Sequence, residues 1–301
     1  MLSADLLSAE VCITDKNGLR DGIKVIEVKG LNKAYKHFKL DNASFDLAPG
    51  MITGLIGANG AGKSTILRIL SGLLKKDSGE IIVDGQTVSD IGGKLRLGFV
   101  SQELGIYHTQ KMSAVAGFVR DVYKESWDEG KYEHYLRDVF DLRYDQKIKE
   151  LSLGMRVKFF LAMELAKSPE CLLLDEVTSG LDPVIRDEVL DILLDTAREY
   201  DIPVFMSSHI TEDLEKVAER IIFIDSGRIL LCDSVENIRK NYFRIEEDKL
   251  DSLDEETRAL ILKKGVKQHE YYVYNTGIIS GGEIAGTPAM LSDVLRCLRK
   301  V

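Results

Sequence analysis

The chain has 301 residues, 45% hydrophobic and 30% charged, the balance of a globular protein with a large core: one domain of roughly 200–250 residues plus a smaller appendage. With 40 basic and 49 acidic residues the net charge is −9, which argues against nucleic acid as the main partner, because phosphate backbones need a basic face. No run approaches the roughly 18–20 apolar residues of a membrane span. The segment Met1–Asp21 lacks the pattern of a secretory signal, and Cys12, Cys171, Cys232 and Cys297 match no metal spacing, so reduced thiols and a cytoplasmic setting are expected.

Residues 1–22 read as a loose extension. Order begins at Ile23, where Ile23, Val25, Ile26 and Val28 predict a strand. Met51–Ile56 reads as a buried strand and runs straight into Gly57-Ala-Asn-Gly-Ala-Gly-Lys63-Ser-Thr65. Ile66, Leu67, Ile69, Leu70 and Leu73 then show a helical period. Further strands are expected at Glu80–Val83, Leu97–Val100, Cys171–Asp175, Val204–Ser207 and Ile221–Ile224. Between them, Ser152–Lys167 predicts a helix with Leu153, Val157, Phe160, Leu161 and Leu165 on one face. Asp182–Tyr200 predicts another, with Asp182 as cap and Pro183 at the first position. Strands alternating with helices imply an α/β core with parallel strands. Residues 103–150, rich in aromatics such as Phe118, Tyr123 and Trp127, read as a helical insert. Residues 241–301 read as a third region, with Tyr271–Tyr274, a glycine-rich turn and a final short helix.

Gly57–Ser64 fits G-x-x-x-x-G-K-[ST]. Glycines let successive backbone N–H groups turn around phosphate oxygens, and the following helix adds its positive end. Lys63 is then expected on the β- and γ-phosphates and the Ser64 hydroxyl on Mg²⁺. Cys171–Asp175 followed by Glu176 is an apolar strand ending in two acids, and its continuous apolarity implies that both faces are covered. Asp175 is placed for the Mg²⁺ shell, Glu176 as base or polariser of the attacking water. Gln102 and His209 follow two other strands, and polar groups at several strand ends converge on one crevice of a parallel sheet. Gln102 is suited to sense Mg²⁺ and the water, His209 to bind the γ-phosphate and support Glu176. Ser152 and Gly154 open a helix whose start suits a phosphate. Since the chain's own loop already holds the γ-phosphate, that second cradle makes sense for a neighbour's nucleotide.

This ordered set resembles the nucleotide-binding subunit of ABC transporters over about residues 23–240. The glycine loop (Gly57, Asn59, Gly60, Ala61, Gly62, Lys63, Ser64, Thr65) matches Walker A, and Leu172–Glu176 matches Walker B. Gln102 matches the Q-loop, Leu151–Met155 the signature, Ser179–Asp182 the D-loop and His209 the switch histidine. Tyr35 lies where the family often stacks an aromatic on adenine, with His37 and Phe38 as rivals. The signature has Leu153 and Met155 where the commonest form has Gly and Gln, and Val177 stands where Pro usually follows the acids. The Leu-Ser-Leu-Gly-Met form resembles ABC-2 type bacterial exporters of peptides and antibiotics.

The resemblance implies a P-loop NTPase core of the ABC type with an antiparallel β subdomain, a helical signature subdomain inserted at 103–168 and a small C-terminal α+β appendage. Residues 1–22 would be an extension, 23–240 the ATPase domain and 241–301 an accessory region. It also implies Mg²⁺-dependent ATP hydrolysis, with Asp182 at the nucleotide of a paired copy, a second ATPase subunit and a separate transmembrane permease as partners, and a place on the cytoplasmic face of the membrane. A soluble ATPase of translation or DNA maintenance is the alternative.

Overall fold

The computed structural model describes residues 25–101, 109–142, 146–245, 272–275 and 287–298. Its first half runs β1 (Ile26–Ala34), β2 (Lys39–Leu47), β3 (Ile52–Ile56), α1 (Lys63–Leu70), β4 (Ser78–Val83), β5 (Gln86–Val88), β6 (Leu97–Ser101), α2 (Met112–Val122), α3 (Glu129–Glu133) and α4 (Leu153–Ala166). Then follow β7 (Cys171–Asp175), α5 (Pro183–Tyr200), β8 (Val204–Ser208), α6 (Thr211–Val217), β9 (Arg220–Asp225), β10 (Arg228–Ser234), α7 (Val235–Asn241), β11 (Tyr242–Ile245), β12 (Tyr272–Asn275), β13 (Thr287–Pro288) and α8 (Leu291–Leu298). The strand expected from Ile23 starts at Ile26, and Ile23 itself lies outside the described residues.

Six strands form the central sheet in the order β10-β9-β3-β8-β7-β6. Pairings from β9 to β6 are parallel, and β10 closes one edge antiparallel. Side chains alternate between two cores, which is why these strands read as unbroken apolar runs. In β7, Leu172 and Leu174 face the helical core while Cys171 and Leu173 face the other side; in β8, Val204 and Met206 oppose Phe205. The second core is roofed by an antiparallel sheet, β2-β1-β4-β5, and the Phe45 and Phe205 rings meet across it at 5.4 Å. Partner strands β5 and β10 escape the apolar-run reading. Each follows a two-residue turn, Asp84-Gly85 or Ser226-Gly227, with positive φ at both residues, the geometry that matches a tight hairpin to strand twist.

Helix α4 starts after Ser152, whose hydroxyl accepts from Met155 N at 3.2 Å. Its buried aromatic is Phe159; Phe160, expected on the inner face, is only partly buried. The described residues of the stretch before α4 carry α2, α3 and a π-helical turn at His134–Val139. Tyr132, Tyr135 and Phe140 form their core, and Trp127 packs on Tyr132 at 5.0 Å between ring centres. Phe118 and Tyr123 stay exposed. Between β6, the end of α2 and the end of α4 lies a hollow of about 900 Å³ whose lining includes Leu73, Arg96, Phe99, Tyr123, Glu164 and Lys167. At the C-terminus, β11–β13 form a small sheet, and α8 docks on α6, where Glu215 accepts from Leu291 N at 2.6 Å.

Candidate nucleotide site

Between the end of β3 and the start of α1 the chain makes the glycine loop. A Cβ at position 57 would sit 2.4 Å from the Ile224 carbonyl oxygen and 2.9 Å from Ile224 Cγ2. Only glycine lets the loop pass this close to the end of β9. The loop wraps Lys63, which is 5% exposed. Its ammonium donates to Gly57 O at 2.8 Å and pairs with Glu176 Oε1 at 3.0 Å.

A hollow of about 500 Å³ opens over the loop, lined by Asn59, Gly60, Gly62, Lys63, Ser64 and Thr65, and by Phe38, Glu176, Ser179 and His209 from elsewhere in the chain. Glu176 follows β7 with φ of 55°, a left-handed backbone that costs a residue with a side chain roughly 1–3 kcal/mol. That bend lets one carboxylate meet both Lys63, on Oε1, and His209 Nδ1, on Oε2 at 2.5 Å. An ionised carboxylate only accepts, so Nδ1–H donates.

Asp175, the last residue of β7, is buried, and its Oδ1 accepts from Ser207 Oγ of β8 at 2.7 Å. The same hydroxyl oxygen accepts from Glu176 N at 3.0 Å. Ser207 thus braces both acids, a role the sequence reading missed. The signal available was register: a serine within an apolar strand that pairs in parallel with β7, opposite Asp175.

The remaining candidates fall into place as follows. Ala61 belongs to the core under the loop, and its N–H donates to Ala58 O. The aromatic at the hollow is Phe38 rather than Tyr35. The Tyr35 N–H donates to Phe38 O across the β1–β2 turn, which carries the Tyr35 ring outward to 48% exposure and seats Phe38 over Gly62. Asp182 is outside the lining; its Oδ1 accepts from Val184 N and Ile185 N and caps α5. Ser152 and Gly154 are also outside it, and Gly154 packs against Ile185, whose Cγ2 would lie 2.8 Å from a Cβ. Gln102 lies outside the described residues.

Among the described residues no group of three or more His, Cys, Asp or Glu is disposed to hold a metal ion. Ser64 puts a hydroxyl in the lining, and Asp175, outside the lining, is a buried carboxylate braced through one oxygen. Such a hard, incomplete oxygen set fits Mg²⁺, which prefers one or two protein oxygens completed by substrate phosphates and water.

Residues 40–179 match the family model for ABC transporter. The lantibiotic transport ATP-binding protein SrtF of Streptococcus pyogenes is 33% identical over 221 residues, covering 72% of this chain and 95% of that protein. The bacitracin transport ATP-binding protein BcrA of Bacillus licheniformis is 28% identical over 264 residues, 85% of this chain and 84% of that one. A solved ATP binding subunit of an ABC transporter superposes with a TM-score of 0.63 at 24% identity, over 72% of this chain and 92% of that one, and shares the fold. These relatives leave the translation and DNA-maintenance alternative without support. The chain belongs to the ATP-binding subunits of ABC transporters, the P-loop ATPases of that family.

Proposed function

We propose that the chain powers an exporter of a peptide or antibiotic, as a pair of copies on the cytoplasmic face of the membrane beneath a separate transmembrane permease. One observation carries the pairing. Glu176 meets Lys63 and His209 in one hollow, while the Ser152–Gly154 helix start lies outside it. A 14-residue helix start, with only the Met155 N–H capped by Ser152, suits an anion. The P-loop of a second copy would bring one. The direction of transport rests on the Leu151–Met155 form and on the bacitracin and lantibiotic relatives. No helix among the described residues is long and apolar enough to cross a membrane; in this reading the permease supplies the spans, and its cytoplasmic helix finds Leu73 and Tyr123 at the larger hollow.

The chemistry follows from the contacts. An incoming phosphate competes with Glu176 for the Lys63 ammonium and frees Oε1 to accept from a water. The water oxygen bonds to the γ-phosphorus, the bond to the bridging oxygen of ADP breaks, and the water's proton passes to the carboxylate. His209 Nδ1–H keeps that carboxylate aimed. Mg²⁺ on Ser64 and Asp175, with Gln102 as the resemblance implies, would neutralise charge on the phosphate oxygens.

Mixing two inactive variants tests the pair. Lys63→Ala lacks the phosphate ammonium, and Ser152→Arg blocks the helix start. A mixed pair holds one site with both lesions and one with neither. ATPase activity should return in proportion to the mixed-pair fraction. Mixed pairs that form in ATP without any return of activity overturn the shared site.

A further inference from the structure

Helix α6 begins two residues after His209 and carries a buried acid that the chemistry above does not use. Asp213 is 1% exposed. Two segments converge on it. From the stretch after Glu176 comes Thr178, fully buried, whose hydroxyl interacts with the carboxyl. From the first turn of α5 comes Arg186, whose Nη1 lies 3.7 Å from Asp213 Oδ1 and whose Nη2 donates to Leu181 O at 3.1 Å. Burial pushes the Asp213 carboxyl up, and Thr178 first, then Arg186, oppose it. Neither Thr178 Oγ1 nor Asp213 Oδ2 completes a full hydrogen bond. A polar group this poorly satisfied is costly in a core, and a well-packed apolar residue would serve stability at least as well.

The connectivity gives the cluster its meaning. Thr178 is two residues past Glu176, and Asp213 is four past His209. The His209–Glu176 contact therefore closes a small ring whose far side is Asp213, Thr178 and Arg186. We propose that Asp213 is a positioning residue for ATP hydrolysis: by tying α6 to Thr178 and to Arg186 of α5, it holds His209 in register with Glu176. The inference rests on the roles given above to those two residues. Arg186 also holds Leu181 O, so the same clamp fixes the segment 178–181, which brings Ser179 to the lining of the nucleotide hollow.

Asp213→Asn keeps the shape and removes the charge facing Arg186; Thr178→Val removes only the hydroxyl. Both are measured in the full chain. The expected result is a fall in kcat of about tenfold, with KM for ATP and ATP-binding stoichiometry within twofold of wild type. A merely structural role would lower stoichiometry and melting temperature with kcat per bound site unchanged, and that outcome overturns the proposal. If Asp213→Asn does not fold, Thr178→Val decides alone. His209→Ala, measured in parallel, separates the two readings. If it abolishes turnover while kcat of both clamp variants stays within twofold, the positioning role fails alone. If it leaves turnover intact, the assignment of His209 fails first.

Discussion

The two hollows are built from different kinds of information. The smaller, about 500 Å³, takes seven lining residues from one stretch, Ala58–Thr65, and the others from single points elsewhere in the chain. The larger, about 900 Å³, is lined from the end of α1, the approach to β6, the end of α2 and the end of α4. A phosphate is a small fixed shape, so one loop of backbone N–H groups recognises it wherever it occurs. A partner helix is a variable surface, met by side chains that only tertiary packing brings together.

Three experiments press on that contrast. The largest effect belongs to the small hollow. Glu176→Gln keeps shape and the His209 contact but loses the proton acceptor, so turnover should fall by about 10²–10⁴ while ATP still binds. Single-turnover hydrolysis with filter binding of ATP reads both, and turnover near wild type would remove Glu176 from the chemistry. At the larger hollow, Leu73, 68% exposed, should tolerate Asp without loss of folding. Leu73→Asp should lower transport about tenfold, as loss of one apolar anchor does, while hydrolysis by the isolated chain continues. Unchanged transport would place docking elsewhere.

The smallest effect concerns Glu164, which lines the larger hollow, accepts from Phe99 N at 2.9 Å and pairs with Lys167 at 2.5 Å. Burial raises its pKa, and Lys167 and the Phe99 N–H only partly oppose that. A carboxyl raised on folding contributes stability that is full below the ordinary glutamate range and is lost as pH climbs through the raised value. Urea melts of wild type and Glu164→Gln should therefore diverge, wild type losing ground from acid to neutral pH. A difference that favours wild type more strongly at neutral pH would mean that the ion pair outweighs burial.

Much of the fold was legible because its signals are local. Alternation of Leu172, Leu173 and Leu174 between two cores shows in the sequence as an unbroken apolar run. Asp182 and Pro183 announce α5 in two letters. The glycine loop is legible for the same reason, since Gly57, Lys63 and Ser64 act through one continuous backbone. Ser207 was not legible, and Phe38 only as a rival of Tyr35. Which aromatic of the β1–β2 turn faces the loop is set by a two-residue reversal, closed by Tyr35 N on Phe38 O, and hydrophobicity carries no trace of it. Ser207 matters only through its register beside Asp175, and a parallel partner is chosen by the whole sheet. Phe159 and Phe160 show the same limit: a helix buried on most of its circumference leaves little period to choose between neighbours.

The left-handed backbone at Glu176 also bears on how such a chain can change over generations. Its strain is present in every folded molecule, whether or not ATP is being cut, and a glycine there would remove it at no steric cost. The same change would leave the buried Lys63 ammonium without its carboxylate, so the strain relieved and the ion pair lost oppose each other at this single codon.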